Sequence, residues 1–133
     1  MFGNKNKPNN RIDSLIGVGT VIEGNVTFSG GLRIDGEVRG SVRAQEGQVG
    51  TLVVSEQARI DGEVNVAHLV VNGAINGPVY AMNSLELQPN ARLTGDIEYN
   101  AIEMHLGAIV QGRLVHLAGA GTKPVELKLA ASQ

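Results

Sequence analysis

His68, His105 and His116 are the histidines of this 133-residue chain, and three imidazoles are what a catalytic zinc ion needs to activate a water. Their spacing argues against that use. His68 directly precedes Leu69, His105 directly follows Met104, and His116 lies two residues past Leu114, so the three take different places in the repeat described below. Ser14, Ser29, Ser41, Ser55 and Ser84 have no base beside them in sequence, although a repeat fold can bring distant residues together. Gly119-Ala120-Gly121-Thr122-Lys123 has the residue types of a phosphate loop without the order G-x-x-x-x-G-K-[ST], and no helix clearly follows it. Acids follow an apolar residue at Glu23, Asp35 and Asp61, but Arg39, Asn76, Thr94 and Gln111 hold the same place elsewhere, the mark of a solvated corner. No catalytic, metal-binding or cofactor-binding residue is assigned. The chain reads as a protein that catalyses nothing and carries no cofactor.

The elements that position these residues carry a clearer signal. Eighteen glycines accompany only two Phe, two Tyr and no Trp, while Val, Ile and Leu are abundant. A thick two-layer core leans on aromatic rings, so an aliphatic core implies a narrow interior one side chain deep. The net charge of −2, from 11 basic and 13 acidic residues, argues against a nucleic-acid binder, which shows a strongly basic face. The absence of cysteine removes disulfides and thiolate metal sites and is compatible with a reducing cytoplasm. No apolar run has the length of a signal peptide or of the roughly 20 residues that span a bilayer.

One phrase recurs: apolar, any, Gly, any, apolar. It reads Ile22-Glu23-Gly24-Asn25-Val26, Val38-Arg39-Gly40-Ser41-Val42, Ile60-Asp61-Gly62-Glu63-Val64, Ile75-Asn76-Gly77-Pro78-Val79, Leu93-Thr94-Gly95-Asp96-Ile97 and Val110-Gln111-Gly112-Arg113-Leu114. The glycines at 24, 40, 62, 77, 95 and 112 are separated by 16, 22, 15, 18 and 17 residues. The long gap holds residues 44–51, which read as a loop bulging from a regular coil. Leu52-Val53-Val54, Leu69-Val70-Val71, Leu85-Glu86-Leu87 and Ile102-Glu103-Met104 form a second column in step with the first. Apolar residues alternate within each unit, the period of a strand with one buried face. Polar corners of Gly, Asn, Asp and Ser separate the strands. A strand-only repeat of about 17 residues predicts an all-β solenoid of about six rungs with three short strands each. Gly24, Gly40, Gly62, Gly77, Gly95 and Gly112 are its structural turn residues.

Residues 12–117 resemble the bactofilins, bacterial polymer-forming cytoskeletal proteins. The likeness rests on Ile34-Asp35-Gly36-Glu37-Val38 and Ile60-Asp61-Gly62-Glu63-Val64, on the Leu-Val-Val and Leu-Glu-Leu columns, and on short polar tails at both ends. The resemblance implies a right-handed triangular β-helix and end-to-end self-assembly without nucleotide. It also implies non-polar filaments in the cytoplasm, peripheral on the inner face of the cytoplasmic membrane, serving cell shape, cell-wall machinery or the positioning of partner proteins. Two alternatives stand beside it. Ile16, Ile22, Phe28 and Ile34 are six apart, as are Val54, Ile60 and Val66, the spacing of left-handed hexapeptide acyltransferases and γ-type carbonic anhydrases. Those families keep about 18 residues per turn, whereas the second column here advances by 17, 16 and 17. The other alternative is a β-helical adaptor that does not polymerise and docks partners through the 44–51 loop.

Three segments follow: a disordered basic tail at 1–14, a β-helix at 15–117 and a flexible tail at 118–133. A solenoid buries its core only by stacking, so its terminal rungs expose strand edges and half-covered apolar side chains. Neither flank is long enough to cap them. The expected self-association residues are Leu15, Ile16 and Val18 at the N-terminal end and Leu106, Leu114, Val115 and Leu117 at the C-terminal end. Met1, Phe2, Lys5 and Lys7 are the expected membrane contacts, and they also resemble the membrane-targeting start of many bactofilins. Each basic residue near an anionic surface contributes about 1 kcal/mol, and a filament displaying many tails multiplies a weak contact.

Overall fold

A computed structural model describes residues 11–117 of the chain. The expected membrane contacts Met1, Phe2, Lys5 and Lys7, and the 118–133 tail, lie outside the described residues. The alternating pattern becomes fifteen strands, with no helix among the described residues. They are β1 (Ser14–Ile16), β2 (Val21–Glu23), β3 (Val26–Phe28), β4 (Gly30–Ile34), β5 (Glu37–Arg39), β6 (Val42–Ala44), β7 (Gly50–Val54), β8 (Arg59–Asp61), β9 (Val64–Val71), β10 (Ala74–Asn76), β11 (Val79–Leu87), β12 (Arg92–Thr94), β13 (Ile97–Met104), β14 (Ile109–Gln111) and β15 (Leu114–His116).

Every pairing between them is parallel, and the chain winds over three faces in six complete turns. The first face is β1, β4, β7 and the C-terminal halves of β9, β11 and β13. The second is β2, β5, β8, β10, β12 and β14. The third is β3, β6, the N-terminal halves of β9, β11 and β13, and β15. At strand spacing the six turns make a rod on the order of 30 Å long. Two details differ from the sequence expectation. From the third turn onward the third and first faces run together in one bent strand, with a register shift between Ala81 and Ser84. The expected loop at 44–51 is shorter: Ala44 ends β6, and Gly50 and Thr51 are buried in β7, leaving residues 45–49 outside the coil.

Register places like on like. Leu32, Leu52, Leu69, Leu85 and Ile102 form one inward column of the first face. Ile16, Ile34, Val54, Val71, Leu87 and Met104 form the other. The second face contributes Ile22, Val38, Ile60, Ile75, Leu93 and Val110. Between the ends these side chains are buried in one core, each contributing about 1.5–3 kcal/mol. Phe28 and Tyr99 are the aromatic members, and each is paired in register with an alanine, Ala44 and Ala81. A large ring beside a small neighbour keeps the column within the width that aliphatic pairs set elsewhere.

The repeated glycine sits at the corner between the second and third faces. There Gly24, Gly40, Gly62, Gly77 and Gly95 each donate their N–H to a carbonyl of the next turn at 2.8–3.0 Å. A Cβ on Gly40, Gly62, Gly77 or Gly112 would collide with the carbonyl oxygen of the glycine one turn below, and on Gly95 it would lie 2.6 Å from the oxygen of Gly77. Glycine is required because one backbone lies on another. The corner between the first and second faces is as tight in two turns, where a Cβ on Gly36 or Gly73 would collide with the carbonyl oxygen of Thr20 or Ser55. It is closed by turns at 17–20, 55–58, 88–91 and 105–108, in which Thr20, Ala58, Ala91 and Ala108 donate their N–H groups to Gly17, Ser55, Gln88 and His105.

Side chains at the corners complete the hydrogen bonding. Asn25, Asn72 and Asp96 accept the backbone N–H of Ser41, Asn90 and Arg113 in the next turn, and Asp13 accepts that of Gly31. On the outer side of the second face, Glu23, Arg39 and Asp61 stack in register, so opposite charges are adjacent; Arg39 bonds Glu23 at 3.1 Å and Glu37 at 2.9 Å. These pairs are exposed and each contributes about 0–1 kcal/mol. The amide of Asn76 donates to Asp61 at 2.8 Å and holds its carboxyl below the ordinary aspartate range, with Arg59 assisting.

Gly62→Ala should lower stability by more than about 2 kcal/mol, because it adds a carbonyl collision to the cost of the backbone conformation. Gly47→Ala, at φ +81° with open space around it, bears only the conformational cost of about 1–2 kcal/mol. Urea unfolding at a single protein concentration separates the two. A depressed carboxyl stabilises fully above its unfolded value of 3.8 and loses that contribution as pH falls through its lower folded value. Asp61→Asn should therefore be less stable than the parent at pH 7, by no more than about 1 kcal/mol for so exposed a pair. The gap should close as pH falls through the lowered folded value of the parent's Asp61, once that carboxyl is protonated as well.

Candidate functional site at the ends of the solenoid

Among the described residues the first strand lies on the first face and the last on the third, so each end of the described coil is one whole turn with three strand edges that no described strand pairs. At the N-terminal end these are β1, β2 and β3; at the C-terminal end they are the second half of β13, β14 and β15. Among the described residues their N–H and C=O groups on the outer side have no ladder partner, which makes each edge a template for another strand.

The expected contact residues fall into three groups. Ile16 and Leu114 point inward on the terminal turns: Ile16 is buried and in register with Ile34, and Leu114 is half-buried, packed on the core and in register with Ile97. Leu15 and Val115 are the outward neighbours of those positions, in register with Arg33 and Glu98. Val18 and Leu106 occupy the second place of equivalent turns, 17–20 and 105–108, and are 70% and 96% exposed. Leu117 follows β15, half-buried, with its N–H bonded to the Tyr99 carbonyl at 2.6 Å.

The structure adds residues that chain order hid. Ile22, Val26 and Phe28 complete the inward set of the first turn, and Ile102, Met104 and Val110 that of the last. Val21 and Ile109 belong to one outward column whose other members are Glu37, Arg59, Ala74 and Arg92. Of the nine exposed large hydrophobics among the described residues, seven lie in or beside the terminal turns: Ile12, Leu15, Val18, Val21, Met104, Leu106 and Ile109. The equivalent turns in the middle carry Glu56 and Arg59, or Pro89 and Arg92, at the places of Val18 and Val21. That terminal phrase, Val18-Gly19-Thr20-Val21 against Leu106-Gly107-Ala108-Ile109, was a legible signal in the sequence.

Polar groups near the C-terminal end are tied down. Arg113 bonds Asp96 through both its side chain and its backbone N–H, which holds the Asp96 carboxyl below its ordinary value. The histidines do not converge. His116 packs its ring against Tyr99 at 5.6 Å between centroids, and His105 opens the 105–108 turn. His68 Nδ1 lies 2.7 Å from Ser84 Oγ, a pairing that a separation of 16 residues concealed and the stacking of β9 on β11 creates. A serine nucleophile needs a base that is itself oriented by a third group, and among the described residues the hydrogen bonds place no such group on His68. No helix among the described residues is long and apolar enough to cross a membrane.

Known proteins place this architecture in a family. The profile of the bactofilins, described as polymer-forming cytoskeletal, matches residues 14–115. The chain is 26% identical over 102 residues to bactofilin BacO of Myxococcus xanthus, covering 77% of this chain and 78% of that protein. It is 28% identical over 102 residues to bactofilin BacP of the same organism, covering 77% of this chain and 41% of that one. No solved structure matches. With a six-turn parallel solenoid whose repeat fills the matched segment, the chain belongs to the bactofilin family of polymer-forming cytoskeletal proteins.

Proposed function

We propose that this chain assembles end to end with copies of itself, without nucleotide, into non-polar filaments that serve as a structural scaffold on the inner face of the cytoplasmic membrane. The observation that carries the reading is the concentration of exposed large hydrophobic side chains in the two terminal turns, each of which, among the described residues, also ends in three unpaired strand edges. Stacking a second molecule on either edge extends the sheets and removes apolar surface at ~25 cal/mol per Å². Like-to-like contact at both ends, through Ile16, Leu15 and Val18 at one and Leu114, Val115, Leu117 and Leu106 at the other, gives a filament without polarity. Such a filament needs only burial and ladder hydrogen bonds, so no cofactor is required.

The membrane role rests on the sequence of the tail. Phe2 offers one ring and Lys5 and Lys7 two charges, a weak contact alone and a strong one when repeated along a polymer. Cell-wall or positioning proteins are the partners such a scaffold would hold.

Negative-stain electron microscopy of the purified protein without nucleotide should show uniform thin filaments. Leu114→Arg should leave folded, soluble particles with unchanged circular dichroism and no filaments, since a guanidinium would be trapped in the contact. Normal filaments in that variant would remove Leu114 from the interface, and discrete particles for the parent at every concentration would sink the assembly reading. Deleting residues 2–7 should abolish co-sedimentation with anionic liposomes while filaments persist; undiminished co-sedimentation would mean the tail is not the anchor.

A further inference from the structure

The outward side of the first face carries one anomaly. Its column runs Leu15, Arg33, Val53, Val70, Glu86 and Glu103, so two glutamates stand directly opposite each other in adjacent turns. Like charges paired in register oppose the ladder that joins them, whereas the acidic and basic residues of the second face alternate. His105, two residues past Glu103, places its Nε2 at 3.1 Å from Glu103 Oε2 and 3.3 Å from Glu86 Oε2. That nitrogen is shielded from solvent, yet neither contact has hydrogen-bond geometry. The main chain that carries the imidazole is tied to the turn below, because the His105 backbone N–H donates to the Leu87 carbonyl at 2.9 Å. Gln88 steadies the other side, its amide donating to Glu86 Oε2 at 3.2 Å.

Two oxygens about 3 Å from an imidazole nitrogen but off its donor axis are where neighbouring ligands of one metal ion sit. With metal–nitrogen and metal–oxygen bonds of about 2.1 Å and ligand angles of about 90–110°, ligand atoms are separated by roughly 3.0–3.4 Å. The three donor atoms here all lie within 4.8 Å of one another, so closing the set needs only a small rotation of one exposed carboxylate. We propose that Glu86, Glu103 and His105 form a binding site for one first-row divalent transition-metal ion, which ties the last turn of the solenoid to the turn beneath it. One imidazole with two carboxylates suits zinc and its neighbours; calcium and magnesium prefer oxygen alone. Water completes the coordination from the side of the exposed Glu103 carboxylate, while the His105 nitrogen stays shielded. The ion cancels the repulsion between the stacked glutamates and holds the turn that carries Leu106.

The rival is a cluster in which His105 lies between the two carboxylates and binds no metal. Zinc titration of the full-length, untagged protein by calorimetry at pH 7.5, with thermal unfolding alongside, separates the two. The expected result is one saturable zinc per chain and a raised melting temperature. His105→Gln and, separately, Glu103→Gln should weaken binding at least about tenfold and abolish the thermal shift, with circular dichroism unchanged. His68→Gln should bind zinc as the parent does. Absence of saturable binding, or binding and thermal shift unaffected by His105→Gln, would overturn the proposal.

Discussion

Parallel strands cannot lie farther apart than their hydrogen bonds allow, about 4.8 Å, and in this chain each turn must meet that spacing on all three faces at once. The corner between the second and third faces is where the constraint bites. The N–H of one corner glycine reaches a carbonyl of the next turn, and the space a Cβ would need is already filled by the glycine carbonyl below. Replace that contact by a longer one and the strands on either side, Ile60 over Val38 and Val64 over Val42, lose their register together. The rest of the fold follows from six turns held at that distance.

Stacking at strand spacing makes every residue the neighbour of its own equivalent. For aliphatic side chains this is favourable: Leu over Leu and Val over Val interdigitate in a core one side chain deep, with Phe28 and Tyr99 accommodated beside alanines. For charges it is not, and the outer columns respond by mixing sign or neutralising it, as in Glu23, Arg39, Asp61 and Asn76. Asp61 shows the local consequence, since the Asn76 amide one turn on favours its charged form. The Glu86–Glu103 pair departs from this arrangement, and the imidazole of His105 lies beside both carboxylates.

The same constraint leaves the ends unfinished. In the middle of the rod each strand has two neighbours and each inward side chain a floor and a ceiling; among the described residues the first and last turns have one of each. Among the described residues, the ladder and the aliphatic columns stop at these two turns. Val18 and Val21 at one end and Leu106 and Ile109 at the other widen the apolar rim of those turns, where inner turns carry Glu, Arg or Pro.

The sequence by itself determined the coil: the glycine phrase and the Leu-Val-Val column set the number of turns, the parallel strands and the aliphatic interior, because a solenoid repeats its contacts at a fixed chain interval. It also marked the segments that hold Leu15 and Ile16 and Leu114 and Val115 as the outermost strands of the repeat. It could not say which side of a short strand faces inward at the ends, so Leu15 and Val115, outward in the structure, read the same as their inward neighbours. Irregular corners erased the phase elsewhere: residues 45–49 leave the coil while Gly50 and Thr51 remain in it, and the bulge between Ala81 and Ser84 merges two faces into one strand. Only the tertiary structure decided which polar groups meet. Ser84 with His68, and Glu86 and Glu103 with His105, are joined across turns, and such contacts depend on register summed over unequal corners, which no single repeat encodes.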